Sequence, residues 1–251
     1  MALIEPLRYA EEIKPLIAQN NSRKYYRLVR AGRWYGGIAT ADCCGCNLKC
    51  VFCWSNKPRD NSEKIGNFYA PDYVAENLIK CARENNYRYV RISGNEPTIS
   101  KEHVISVISI IDKTKFLFIL ETNGTLLDID FVKKLSAFKN LHIRVSLKGT
   151  TPEEFSMLTN SIPETFDLVL DNLQNLVNAG VRFNLAVMLS FSPDKNIIQL
   201  KERLKKISIK IIDDFEEEYV FLYPHVIERL KRTGIKPLIA YTPEGIPKEF
   251  I

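Results

Sequence analysis

Between residues 141 and 148 the chain alternates strictly. Leu141, Ile143, Val145 and Leu147 are apolar, and His142, Arg144, Ser146 and Lys148 interleave with them. A period of two is that of a β-strand whose faces meet different surroundings. Phe116-Leu117-Phe118-Ile119-Leu120-Glu121 is apolar until its last residue, too continuous for a sheet that faces solvent. With the runs at 35–42, 89–93, 182–189 and 218–222, these segments predict six strands. Between them the apolar spacing changes to that of helices. One opens at Pro71 with Val74, Leu78 and Ala82 on one face, and others cover 101–113, 130–138, 153–158, 163–178 and 195–206. Gly180 is placed to follow the fifth of these as a left-handed cap. Residues 58–68 are polar and predict a loop.

Strands alternating with helices at this spacing predict right-handed βαβ units and a parallel sheet. Six units fall short of a closed eightfold barrel. The expectation is an α/β fold, a partial (β/α)6 barrel over 35–225. Residues 1–34 read as a helical or irregular N-terminal extension, and 226–251 as a tail packing on the barrel. In such a barrel the apolar set of the 141–148 strand faces the helices and the polar set lines the lumen. The same parity puts Arg91, Ser93, Glu121, Asn184, Met188, Ser190 and Tyr223 inside. A purely structural barrel fills its lumen with branched aliphatic side chains. A polar lumen of mixed charge predicts a site.

The chain has 251 residues, 45% of them hydrophobic, enough for one large domain. Its apolar runs are too short to span a membrane, and its start lacks the pattern of a secretory signal. Five of the six cysteines crowd between Cys43 and Cys53, which suits metal binding in a reducing cytoplasm better than a disulfide framework. The net charge of +5 is concentrated early, in Arg23, Lys24, Arg27, Arg30 and Arg33, interleaved with Tyr25, Tyr26 and Trp34. Such a stretch suits RNA, or simply a solvated face. His103, His142 and His225 share no ligand spacing and read as structural. Cys43 and Cys44 read as packed strand-end residues, and Cys81 as a small buried residue.

The densest chemistry is Cys46-Asn47-Leu48-Lys49-Cys50-Val51-Phe52-Cys53-Trp54, with cysteines spaced C-x3-C-x2-C. Thiolates so grouped select zinc, copper(I) or an iron–sulfur cluster. A structural zinc usually takes four protein ligands, and here Cys43, Cys44 or a histidine would complete the set. A [4Fe–4S] cluster also has four corners, and three cysteines leave one iron open to an exogenous ligand.

This spacing, with Phe52 just before the third cysteine, resembles the cluster signature of the radical S-adenosylmethionine (SAM) enzymes. Gly94-Asn95-Glu96-Pro97, after the second strand, resembles their Gly-Gly-Glu-Pro, with Asn95 for the second glycine. Glu121-Thr122-Asn123-Gly124 and Ser146-Leu147-Lys148 resemble the Asp-Thr-Asn-Gly and Asp-x-Lys of glycyl-radical activating enzymes, such as the pyruvate formate-lyase activase. The resemblance implies a [4Fe–4S] cluster on Cys46, Cys50 and Cys53. It implies SAM held by Gly94, Asn95, Glu96, Thr122, Asn123, Ser146 and Lys148, with Lys148 on the SAM carboxylate. Phe52 and Trp54 would pack near the adenine or shield the cluster, and Ser190 would face ribose, adenine or substrate. The implied activity is oxidoreductase chemistry: reductive cleavage of SAM to a 5′-deoxyadenosyl radical that abstracts hydrogen from a protein or small molecule. The implied partner is an electron donor such as flavodoxin or ferredoxin. Arg91 and Arg144 hint at an anionic substrate, unless they pair with Glu121 or Glu96. The competing expectations are a nucleic-acid-modifying enzyme of the same superfamily, acting on tRNA for example, and a zinc-binding structural or RNA-binding module.

Overall fold

The computed structural model describes residues 2–245. Helix α1 (Pro6–Ile17) leads into β1 (Ala18–Gln19), β2 (Ser22–Gly32) and β3 (Ile38–Cys43). A short helix α2 (Asn56–Asp60) and β4 (Asn67–Tyr69) precede α3 (Pro71–Glu84) and β5 (Tyr89–Ser93). Alternation then continues through α4 (Lys101–Ile111), β6 (Leu117–Thr122), α5 (Ile129–Leu135) and β7 (Leu141–Leu147). Helices α6 (Pro152–Thr159) and α7 (Thr165–Asn178) lead to β8 (Phe183–Met188), and α8 (Asp194–Ile207) and α9 (Lys210–Asp213) to β9 (Glu216–Glu218). The last elements are β10 (Val220–Phe221), α10 (Pro224–Thr233) and β11 (Ala240–Tyr241).

The main sheet runs β1-β2-β3-β5-β6-β7-β8-β9, with β4 also on β2. From β3 to β9 every pairing is parallel, which makes the six-stranded partial barrel. Leu141, Ile143, Val145 and Leu147 are buried toward the helix layer. Helix α7 presents Phe166, Val169, Leu173 and Leu176 to the same core and ends at Gly180, whose φ of 66° is left-handed.

Three expectations are corrected. The N-terminal segment is not helical or irregular throughout: β2 pairs antiparallel with β3 and carries the sheet past the barrel edge. The pattern there is unreadable because its cations turn inward. Arg23 and Lys24 are buried and donate to backbone carbonyls, and Arg30 pairs with Asp42 at 2.6 Å. Arg27 and Arg33 remain exposed, whereas Arg23 and Lys24 are withdrawn from any solvated basic face. The sixth barrel strand is Glu216–Glu218, earlier than 218–222, because Val220 and Phe221 turn away to pair with β11. Residues 58–68 include the end of α2 and the start of β4 rather than loop alone. Of the expected C-terminal tail, α10 and β11 pack back on the barrel, and residues 246–251 lie outside the described residues.

Candidate active site

The cysteine loop leaves the C-terminal end of β3, where ligands gather in parallel α/β folds. Two neighbours aim hydrogens at Cys46 Sγ, the Leu48 amide at 3.4 Å and Asn123 Nδ2 at 3.8 Å. Ser55 Oγ donates to Gly94 O at 2.7 Å and lies 3.6 Å from Cys53 Sγ as an acceptor. Burial pushes the Cys46 thiol well up, and Glu96 and Cys50 add to this. Burial also lifts Cys50, to about 11, against the pull of Lys148. Thiols so raised stay protonated on their own, whereas a metal centre deprotonates a coordinating thiol outright. Among the described residues, no three His, Cys, Asp or Glu side chains gather closely enough to hold one metal ion. A zinc ion needs its ligands around one point, while a cluster takes one thiolate per iron and accepts a wider spread.

The loop is gripped by arginines from distant parts of the chain. Arg23 donates to the carbonyls of Ile17, Cys44 and Glu96 at 3.1, 2.6 and 3.1 Å. Arg59 donates to Cys50 O at 2.8 Å, and Arg229 to Val51 O at 2.9 Å and to Cys53 O. One turn earlier on α10, His225 meets Trp54 O at 2.9 Å. The sequence contains this signal as an i, i+4 pair on one helix face, but a His and an Arg gripping carbonyls match no ligand motif. Beyond the loop's far edge, Lys49 and Val51 amides donate to Thr159 and Leu158 carbonyls at the end of α6.

The motifs after β5 and β6 lock onto this loop. Gly94 has φ 101°, and a Cβ there would sit 2.9 Å from Cys43 N, so the glycine permits the close approach. Asn95 is not among the positive-φ residues, so replacing the family's second glycine strains nothing. Its Nδ2 donates to Ser55 Oγ at 3.0 Å. Glu96 is buried and accepts four hydrogen bonds, from Thr98 N and Oγ1, Thr122 Oγ1 and Asn123 N, at 2.6–3.1 Å. Burial outweighs them and raises its carboxyl. Its side chain is a brace between two motifs, and its backbone amide ties to Gly45 O at 3.0 Å. Asn123 completes the junction through Asn47 Oδ1 at 2.8 Å.

The lumen is polar, as parity predicts, and its charges are matched. Arg91 pairs with Glu121 at 2.5 Å, and Ser93 donates to the same carboxylate at 2.6 Å. Arg144 pairs with Glu216 at 2.5 Å and with Glu218 at 3.0 Å. Ser146 donates to Glu218 at 2.5 Å, and Lys148 sits 3.5 Å from that carboxylate while donating to Ser146. Burial alone would raise Glu218, but Lys148 and Arg144 pull it down to about 2. Arg91 and Arg144 are thus engaged by carboxylates, and the hint of an anionic substrate loses its basis. Glu218 stands beside Ser146 and supplies the charge that Asp-x-Lys would have carried there.

The sequence model of the radical SAM superfamily matches residues 42–204, from the end of β3 into α8. The chain belongs to the radical SAM superfamily. It is 27% identical over 188 residues to a probable GTP 3′,8-cyclase of Methanosarcina acetivorans, across 72% of this chain and 54% of that protein. It is 26% identical over 199 residues to the GTP 3′,8-cyclase of Campylobacter jejuni, across 78% and 60%. The chain therefore spans little more than half the length of these curated relatives. Among solved structures, Streptococcus suis SuiB bound to S-adenosylmethionine shares the fold, with TM-score 0.59 and 18% identity over 76% of this chain and 44% of that one.

Radical SAM enzymes use a [4Fe–4S] cluster and SAM, and the residues present fit both. Three thiols share one loop, with two N–H groups at Cys46 Sγ and the Ser55 hydroxyl oxygen beside Cys53 Sγ. Asn95 Oδ1, beside that loop, is buried without a donor among the described residues. Such an acceptor fits an amine-bearing ligand. Phe52 is buried and stacks on Phe191 at 5.7 Å, while Trp54 is 43% exposed. Ser190 is fully buried, and its hydroxyl accepts from Val220 N at 2.8 Å, which joins β8 to β10. Structure gives it a framework contact in place of the open lumen position that parity assigned.

Proposed function

We propose that this chain binds a [4Fe–4S] cluster on Cys46, Cys50 and Cys53, reductively cleaves SAM, and abstracts hydrogen from a protein or small-molecule substrate. The observation that carries the reading is the junction of three loops at the ends of β3, β5 and β6. Cys46, Asn47, Glu96, Thr122 and Asn123 are tied directly to one another there. When bound, the cluster supplies the electron that splits SAM into methionine and a 5′-deoxyadenosyl radical. The chain's own part is positioning and exclusion. In this reading Asn95 Oδ1 accepts from the methionine ammonium, and Gly94 lets the backbone pass close to the cysteine loop. Lys148 meets the SAM carboxylate, leaving Ser146 and Arg144 to hold Glu218. Thr122 and Asn123 keep the Glu96 brace in register, and Phe52 with Phe191 shields the cluster side from water while Trp54 covers the adenine.

The likeness to activating enzymes rests on Glu121-Thr122-Asn123-Gly124 and Ser146-Leu147-Lys148. Arg91 and Ser93 occupy the Glu121 carboxylate where those enzymes would place a cation, so the reaction class is kept at hydrogen abstraction. A reducing, cytoplasmic setting and a low-potential electron donor belong to the same reading.

Anaerobic reconstitution with iron and sulfide tests it. The expected result is about four irons per chain, an EPR signal after dithionite that changes on adding SAM, and release of 5′-deoxyadenosine. A colourless protein retaining one zinc, with no SAM cleavage, would overturn it.

A further inference from the structure

Arg59 and Arg229 do more than grip the cysteine loop. With Lys49 and Arg232 they line a cleft of about 250 Å³ between that loop and α10, and Cys50 forms part of its wall. Four cations therefore border one cysteine from outside the barrel. None of the residues lining the cleft is acidic, and Asp60, the neighbour of Arg59, has both its oxygens taken by that guanidinium at 2.8 Å. Lys49 and Arg232 are exposed. The inner pair is fixed by bonds to Cys50, Val51 and Cys53 carbonyls, so its charge stands in one place rather than sweeping through solvent.

The lumen offers a contrast. Each of its cations faces a carboxylate, whereas this cleft presents an excess of positive charge beside a cysteine. Uncompensated charge at a surface steers partners of opposite sign and raises their encounter rate. A partner that must reach Cys50 and is drawn by fixed cations is anionic and has business with what that sulfur holds.

We propose that this cleft is the docking surface for an acidic one-electron carrier protein, which reduces the cluster past Cys50. The proposal rests on the cluster assignment above. The reduced carrier gives up one electron and the oxidised [4Fe–4S]2+ cluster accepts it, becoming [4Fe–4S]+, with no bond made or broken. Lys49 and Arg232 form the accessible rim that meets carboxylates of the carrier, and Arg59 and Arg229 set the field beneath.

The test uses the reconstituted protein and a flavodoxin as the acidic probe. Arg232→Glu is expected to weaken flavodoxin binding, read by calorimetry at low salt, about tenfold. It should slow cluster bleaching by flavodoxin hydroquinone to a similar degree. Raising the salt from about 0.05 to 0.3 M should shrink the difference between variant and parent. Iron content and bleaching by dithionite should not change. Lys134→Glu on α5 alters net charge equally and should leave flavodoxin binding within about twofold. Equal binding by parent and Arg232→Glu, or an equal loss in Lys134→Glu, would overturn the proposal. So would binding of inorganic phosphate without flavodoxin, which would make the cleft a small-anion site. A protein that takes up no cluster sinks the function proposed above instead, and calorimetry still reads the cleft.

Discussion

The lumen and the cysteine loop are both rich in arginine, and they use it in opposite ways. In the lumen, Arg91 and Arg144 face Glu121, Glu216 and Glu218 at 2.5–3.0 Å. Around the loop, Arg23 and Arg229 grip main-chain carbonyls, and Arg59 does so while also holding Asp60. A carbonyl satisfies a guanidinium's hydrogen bonds without cancelling its charge. The lumen is thus electrically closed and specifies shape, whereas the loop keeps a positive field suited to an anionic centre. A buried ion pair is weak evidence of stability but costs heavily when one partner is removed. A carbonyl grip fixes backbone, so its loss is felt in the geometry of the sulfurs.

The most severe way to break this comparison is Cys50→Ala. Iron content after reconstitution should fall from about four per chain to near zero, while the melting temperature of the metal-free protein stays within a few degrees. Retention of a full SAM-responsive cluster would remove Cys50 from the ligand set. Next is Glu218→Gln, which leaves Arg144 and Lys148 short of a counter-charge and should cost roughly 2–4 kcal/mol in chemical denaturation. The pH dependence carries the sign. Glu218 binds its proton more weakly folded, near 2, than unfolded, near 4.5. Its contribution is therefore present above about pH 4.5 and fades as pH falls toward 2. Glu218→Gln should lack that share of the acid loss, and an unchanged acid profile would count against the network.

Lys148→Ala sharpens the contrast, because Lys148 lies where the two regions meet: it pulls on Cys50 and pairs with Glu218. SAM affinity, measured by calorimetry, should weaken about tenfold, or about 1.4 kcal/mol, with iron content unchanged. Unchanged affinity would refute its role on the carboxylate. Ser190→Ala should do least. Losing the acceptor for Val220 N costs about 1 kcal/mol, or a few degrees in melting temperature, and SAM affinity should hold within twofold. A large loss of affinity would return Ser190 to the ligand.

The barrel was legible because its signal is periodic. The alternation at 141–147 located both the core face and the lumen face, and Gly180 ended α7 as its position predicted. The cysteine spacing and Glu96 were legible as motifs. What was not legible depends on partners far away in sequence. Arg23 looks like one more cation in a basic run, and only the fold shows it buried against Cys44 and Glu96. Glu216 and Glu218, in a run of three glutamates, look like a solvated surface until Arg144 is placed opposite them. Likewise β2 hides its strand character, because its inward cations are satisfied by carbonyls that no local pattern announces.

The hold of α10 on the cysteine loop also has a meaning in time. His225 and Arg229 clasp Val51, Cys53 and Trp54, residues made much earlier on the ribosome. At about 5–20 residues per second, the clasp follows the loop's last cysteine, Cys53, by roughly nine to thirty-five seconds. Through that interval the thiols stand on a loop whose outer wall has not yet been made. The loop therefore takes its gripped geometry only once α10 has been made.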